Sequence, residues 1–304
     1  FGRSSRRQRQ MCISGRMWGR FFALLLRHEH GWFEGGDDSS GTLYWNPFLE
    51  MREQLALWRK DRTLAHVVPF GVFMVFLMLS QFVGEAMLWE HDNAPWYRHW
   101  PEQLFYPIQV VVTLVTLCFF WQHYDLKWSK KVWIGVIAGL VGIGFWLLPT
   151  TLYDYWGMTE KPDGFFEKLT GLAPRKEGFD PYVFESTSAQ VFSVVMRIFR
   201  AVVIVSLVEE IFWRGFLMRF LLDMDGDYWK VRFGKPAWIS FIVVTLAFMI
   251  AHAPVDYLGA VIYGSLTYGV AVWTRSLLAC VVMHGVANAT MAVYALHYGK
   301  LGLW

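Results

Sequence analysis

Two adjacent carboxylates and an arginine, Glu209, Glu210 and Arg214, interrupt an apolar run over 191–222 that also carries Arg197 and Arg200. Ionisable groups at bilayer depth are expensive, so they persist there only when paired, facing a wet cavity, or working. Helical spacing divides the three. Glu210 and Arg214 stand at i and i+4 with the acid N-terminal, the favourable orientation for an ion pair. Glu209 points about 100° away around the helix. One glutamate is therefore expected to be held by arginine and the other left free. A free carboxylate in a low-dielectric site can take or give a proton near neutral pH. Two later patterns answer it. Phe248 and His252 close one apolar run, and His284 and Asn288, again i and i+4, share one helix face within another. Together they offer a general base and a set of hydrogen-bond donors.

The order EExxxR, FxxxH, HxxxN on successive apolar segments resembles the CPBP family, which contains the CAAX prenyl endopeptidases and bacteriocin-processing or self-immunity proteins. The resemblance covers 189–304. Around 208–222 and 229–231 it looks closest to CAAX-protease-related proteins found beside exosortase systems. It implies peptide hydrolysis. Glu209 and His252 would hold and deprotonate a water, and His284 and Asn288 would receive the oxyanion. Glu210 and Arg214 would form the supporting pair. No serine or cysteine motif is required, and no GxSxG-type elbow is present.

The elements that must position these residues are membrane helices. The chain is 55% hydrophobic and only 17% charged, which suits an integral membrane protein. Spanning takes about 20 apolar residues. Spans are expected at 67–89, 104–121, 132–152, 191–222, 238–253, 255–273 and 277–297. The fold class is thus an all-α integral membrane protein of about seven transmembrane helices with an intramembrane polar cavity. The run 191–222 exceeds one crossing and must tilt, break or emerge, with Gly215 as the expected break. Gly135, Gly139, Gly142 and Gly144 offer close-packing faces. Vertical helices would leave Glu209 and His252 about 10 Å apart in depth, which tilt or a late start to the fifth span would remove.

Three regions follow: a basic, amphipathic N-terminal stretch (1–65), three spans with an acidic loop (66–188), and the motif-bearing part (189–304). Residues 1–28 hold seven arginines and no acid, and 17–26 reads as an interfacial amphipathic helix rather than a secretory signal, with an organellar presequence left open. A Gly/Asp/Ser linker (31–41) and a surface helix over 47–62 come next. Every second loop is basic, which predicts a cytoplasmic N-terminus in a membrane taken to be the bacterial inner membrane. The acidic connection 153–190 is long enough to cap the site. Cys12, Cys118 and Cys280 show no paired or metal-type spacing.

Blander readings stand beside the hydrolytic one. Alone, Glu210–Arg214 is a structural ion pair, His284 a packing residue and Asn288 an interhelical hydrogen-bonding residue. Arg197 and Arg200 suit lipid headgroups, Glu85, or the wet mouth of a cavity. A non-catalytic scaffold or immunity-type subunit would keep the fold and bind partners instead. Glu209, His252 and His284 have the composition of a zinc site, which the resemblance argues against. His28 and His30 lack a further ligand in register, and His66 has no haem motif behind it. No cofactor and no metal are expected. The expected partners are membrane lipids and a membrane-associated protein substrate or partner subunit, not nucleic acid.

Overall fold

A computed structural model describes residues 47–89, 91, 93–159 and 165–303. The expectations for 17–26, 31–41, His28 and His30 lie outside the described residues. The chain divides into two compact units, Phe1–Lys60 and Asp61–Trp304. In the first, α1 (Pro47–Lys60) is a helix whose Met51, Leu55, Leu57 and Trp58 are exposed.

The second unit is built from α2 (Arg62–Met87), α3 (Glu102–Phe119), α4 (Val132–Tyr155), α5 (Thr187–Phe220), α6 (Trp238–Ile250), α7 (Tyr257–Thr274) and α8 (Leu277–Tyr298). Among the described residues every regular element is helical. With no water in the hydrocarbon, a helix is the way one segment satisfies its own backbone groups. By length and composition α2, α4, α5, α8 and the segment Pro254–Thr274 containing α7 are able to cross a membrane; α3 and α6 are shorter apolar helices. The protein is an all-α integral membrane protein.

Asp61 starts α2 by accepting hydrogen bonds from the Thr63 and Leu64 N–H groups at 2.7 and 2.9 Å, which satisfies two donors that a helix start leaves free. Near that end Tyr124 donates to the Ala65 carbonyl at 2.7 Å and Tyr228 to that of Arg62 at 3.0 Å. Burial pushes both phenols up, so they stay protonated donors.

The core sits where α4 runs along α7 and α8. A Cβ on Gly135 would stand 2.2 Å from the Ala279 carbonyl oxygen, and one on Gly139 2.6 Å from that of Met283. Only glycine permits this backbone-to-backbone approach. Gly144 meets nothing within 4 Å and is exposed, so the last of the four glycines does not pack.

Helix α5 departs from the expected break. It continues through Gly215 to Phe220, with two stretches of wider, i→i+5 turns, Arg200–Val205 and Ile211–Leu217, flanking Ser206–Glu210. The second stretch is wholly buried, Ile211, Phe212 and Trp213 completely so, and its packing outweighs glycine's preference for disorder. At Gly215 the missing side chain admits the His66 ring, whose Cδ2 lies 3.0 Å from the Cβ position.

The described part of the 153–190 connection folds over the ends of α4, α7 and α8. Arg175 pairs with Asp256, and Lys300 donates to Asp154 Oδ1 at 2.7 Å and to the Pro174 carbonyl at 2.9 Å. The Gly302 N–H donates to the Arg175 carbonyl at 2.9 Å.

Candidate active site

Glu210 projects from the regular segment between the two wide-turn stretches of α5. It is fully buried, and its Oε1 accepts from Arg214 Nη1 at 3.0 Å and from His284 Nδ1 at 2.9 Å. Arg214 also reaches the Gly264 carbonyl at 3.5 Å and lies 5.1 Å over the Phe248 ring. A carboxylate held by arginine only accepts, so the shared proton belongs to His284 Nδ1 and Nε2 is left for other partners.

His252 is set by the same logic. Its Nδ1 lies 2.7 Å from the Phe248 carbonyl, which cannot donate, so Nδ1 carries the hydrogen and the Nε2 of the neutral ring is an acceptor. The Trp146 and Phe248 rings fix its plane, with centroids 5.3 and 4.6 Å away. Helix α6 has 13 residues, a length of about 20 Å against a hydrocarbon core of about 30 Å. Such a helix is too short to cross alone, and His252 lies two residues past its end.

Asn288 donates through Nδ2 to the Ala201 carbonyl at 2.7 Å. That carbonyl lies in the first wide-turn stretch of α5, where the regular i→i+4 ladder is interrupted. The α5 distortion and the α8 asparagine thus satisfy each other.

His252, His284 and Asn288 line one cavity of about 150 Å³, together with Trp146, Asp256 and Tyr263. Glu209 is half-buried and is not among the residues lining it. Its Oε2 is nevertheless buried and has no hydrogen-bond partner among the described residues, as is also true of Glu210 Oε2. Sequence reasoning missed Tyr263. Its hydroxyl is buried in the cavity wall without a hydrogen-bond partner among the described residues, and its ring centroid is 5.9 Å from that of His284. In the sequence it is one tyrosine of an apolar run, marked only by a hydroxyl in need of a partner when buried.

Arg197 and Arg200 sit elsewhere on α5. Arg200 Nε donates to Gln109 at 2.7 Å, and both guanidinium groups face the Tyr106 ring, at 5.1 Å for Arg197 and 4.5 Å for Arg200. Arg197 also donates to Gln103 at 3.4 Å. His66 is buried, with Nδ1 2.7 Å from the Arg62 carbonyl. Among the described residues no three His, Cys, Asp or Glu side chains stand close enough together to hold a metal ion.

Residues 191–290 match the family model described as type II CAAX prenyl endopeptidase Rce1-like. The likeness is confined to that third of the chain. The Rce1-like segment opens inside α5 and closes inside α8, so it holds both glutamates, Arg214, His252, Tyr263, His284 and Asn288. Helix α4 precedes the Rce1-like segment, yet it supplies Ile143 and Trp146 to the cavity wall. No curated protein and no solved structure matches the chain.

Proposed function

We propose that the protein is an intramembrane endopeptidase that cleaves a membrane-associated protein or peptide near its terminus with a water activated by Glu209 and His252. The observation that carries this reading is the convergence of His252, His284 and Asn288, all from the Rce1-like segment, on one cavity. His252 presents Nε2 as an acceptor for the water proton. The buried Oε2 of Glu209, without a hydrogen-bond partner among the described residues, is the second acceptor. Attack of the water oxygen on the carbonyl carbon forms a C–O bond and places negative charge on the carbonyl oxygen. Asn288 Nδ2 uses one hydrogen on Ala201 and keeps another for that oxygen. Glu210, itself held by Arg214, anchors His284 Nδ1 and leaves Nε2 as the ring atom that faces the oxyanion. Collapse breaks the C–N bond, and the proton taken from water goes to the leaving nitrogen.

The test compares processed membrane proteins in cells carrying wild type or Glu209→Gln. The substitution keeps shape but cannot accept the water proton, so cleavage is expected to fall at least about 10²-fold with unchanged protein level. If Glu209→Gln, His252→Ala and Asn288→Ala combined leave every product and the biological function intact, the chain is instead a scaffold or immunity-type subunit built on a protease fold.

A further inference from the structure

A second and larger cavity, about 630 Å³, lies at the opposite end of α7 and α8 from the candidate active site. Its wall gathers Arg62 from the start of α2, Lys127, Lys130 and Lys131 from the turn before α4, Arg219 from the end of α5, and Arg275 from the α7–α8 turn. One carboxylate, Asp125, faces these six cations, and it pairs with Lys127 at 3.4 Å. Basic loops on one side of a membrane explain cations at these helix ends. They do not explain why cations from four separate stretches of chain line a single hollow, where like charges repel.

Parts of the wall are held in place. Arg219 donates through Nε to the Gly215 carbonyl at 2.7 Å and lies 5.5 Å over Tyr228, and Arg62 lies 5.7 Å over Trp229, another wall residue. Arg275 caps α7 in the left-handed conformation (φ 55°), a place where glycine is the ordinary choice. A cationic residue stands there although the left-handed backbone favours glycine.

We propose that this cavity binds a phosphate-bearing anion, whether carried by a lipid headgroup or free in solution. Arginine forks and lysine ammonium groups are the usual phosphate ligands, and the volume falls within the range of small-molecule sites. The wall tryptophans Trp128 and Trp229, at the level of the helix ends, suit a headgroup. The site is separate from the peptidase reading and does not depend on it.

The experiment uses the full chain in neutral detergent and native mass spectrometry. One arm adds phosphatidylglycerol or phosphatidylcholine, and the other adds inorganic pyrophosphate. Retention of phosphatidylglycerol over phosphatidylcholine assigns a lipid headgroup, and retention of pyrophosphate assigns a soluble phosphate; either supports the proposal. Lys130→Gln, Lys131→Gln and Arg275→Gln together, all at exposed positions, should weaken retention at least about tenfold, on the scale of losing several charge-assisted hydrogen bonds. Arg232→Gln with Lys235→Gln removes exposed charge outside the cavity wall and should leave retention unchanged. No retention in either arm, or equal weakening by both sets of variants, overturns the proposal.

Discussion

Glu210 accepts from two donors on two helices, and each bond carries a different consequence. Removing Arg214 leaves the buried carboxylate with His284 as its remaining donor. Breaking a buried pair in this way typically costs about 3–5 kcal/mol. Arg214→Ala should therefore lose thermal stability and yield before any specific kinetic defect; normal accumulation with an unchanged unfolding temperature would contradict the observed pairing. Tyr263→Phe separates folding from chemistry at the same site. The hydroxyl has no hydrogen-bond partner among the described residues, so deleting it should leave stability unchanged or raised. If it donates to the developing oxyanion, turnover should drop at least about tenfold, which thermal unfolding and cleavage measured on one preparation would reveal. The Glu210–Arg214 pair is legible in the sequence because i and i+4 fix it locally. The bond from His284 to Glu210 is not, because 74 residues separate the partners and only helix packing joins them.

At the scale of the element, glycine position decides between packing and exposure. Gly135→Ala would press a methyl group against the Ala279 carbonyl, backbone that cannot swing aside, and should destabilise the α4–α8 contact by more than 1 kcal/mol, the scale of overpacking. Gly144→Ala meets open space and should be neutral or slightly stabilising. Unfolding midpoints of the two variants, purified side by side, test the contrast. Apolar runs made the helices legible, but not this distinction, since a helix apolar on every side gives no sign of which face meets a neighbour. The wide turns of α5 were hidden for the same reason. In Val202, Val203, Ile204 and Val205 nothing in the side chains records that the backbone bonds have shifted by a residue.

On the scale of the whole molecule, the two cavities lie at opposite ends of α7 and α8, and the loop charges bear on which end faces the cytoplasm. With the basic loops cytoplasmic, reporter fusions in 122–131 and 223–237 should share one compartment and a fusion in 171–186 should report the other. Fusions in 122–131 and 171–186 reporting the same compartment would contradict that arrangement. The loop alternation was legible; the way the 171–186 stretch ties down the ends of α4 and α8 was not, since Lys300–Asp154 and Arg175–Asp256 join residues far apart in sequence. One feature of α6 reaches beyond the protein. Its Ile239, Ile242 and Leu246 are exposed along a helix only about 20 Å long, so the surrounding lipid must meet a hydrophobic surface shorter than its own acyl region. Thinning of the bilayer is one way such mismatch is relieved, and thinning beside α6 would bring the aqueous phase nearer to His252. Acyl chain length thereby becomes a control on hydration of the site, and reconstitution in longer-chain phospholipid should slow turnover while leaving the helices intact.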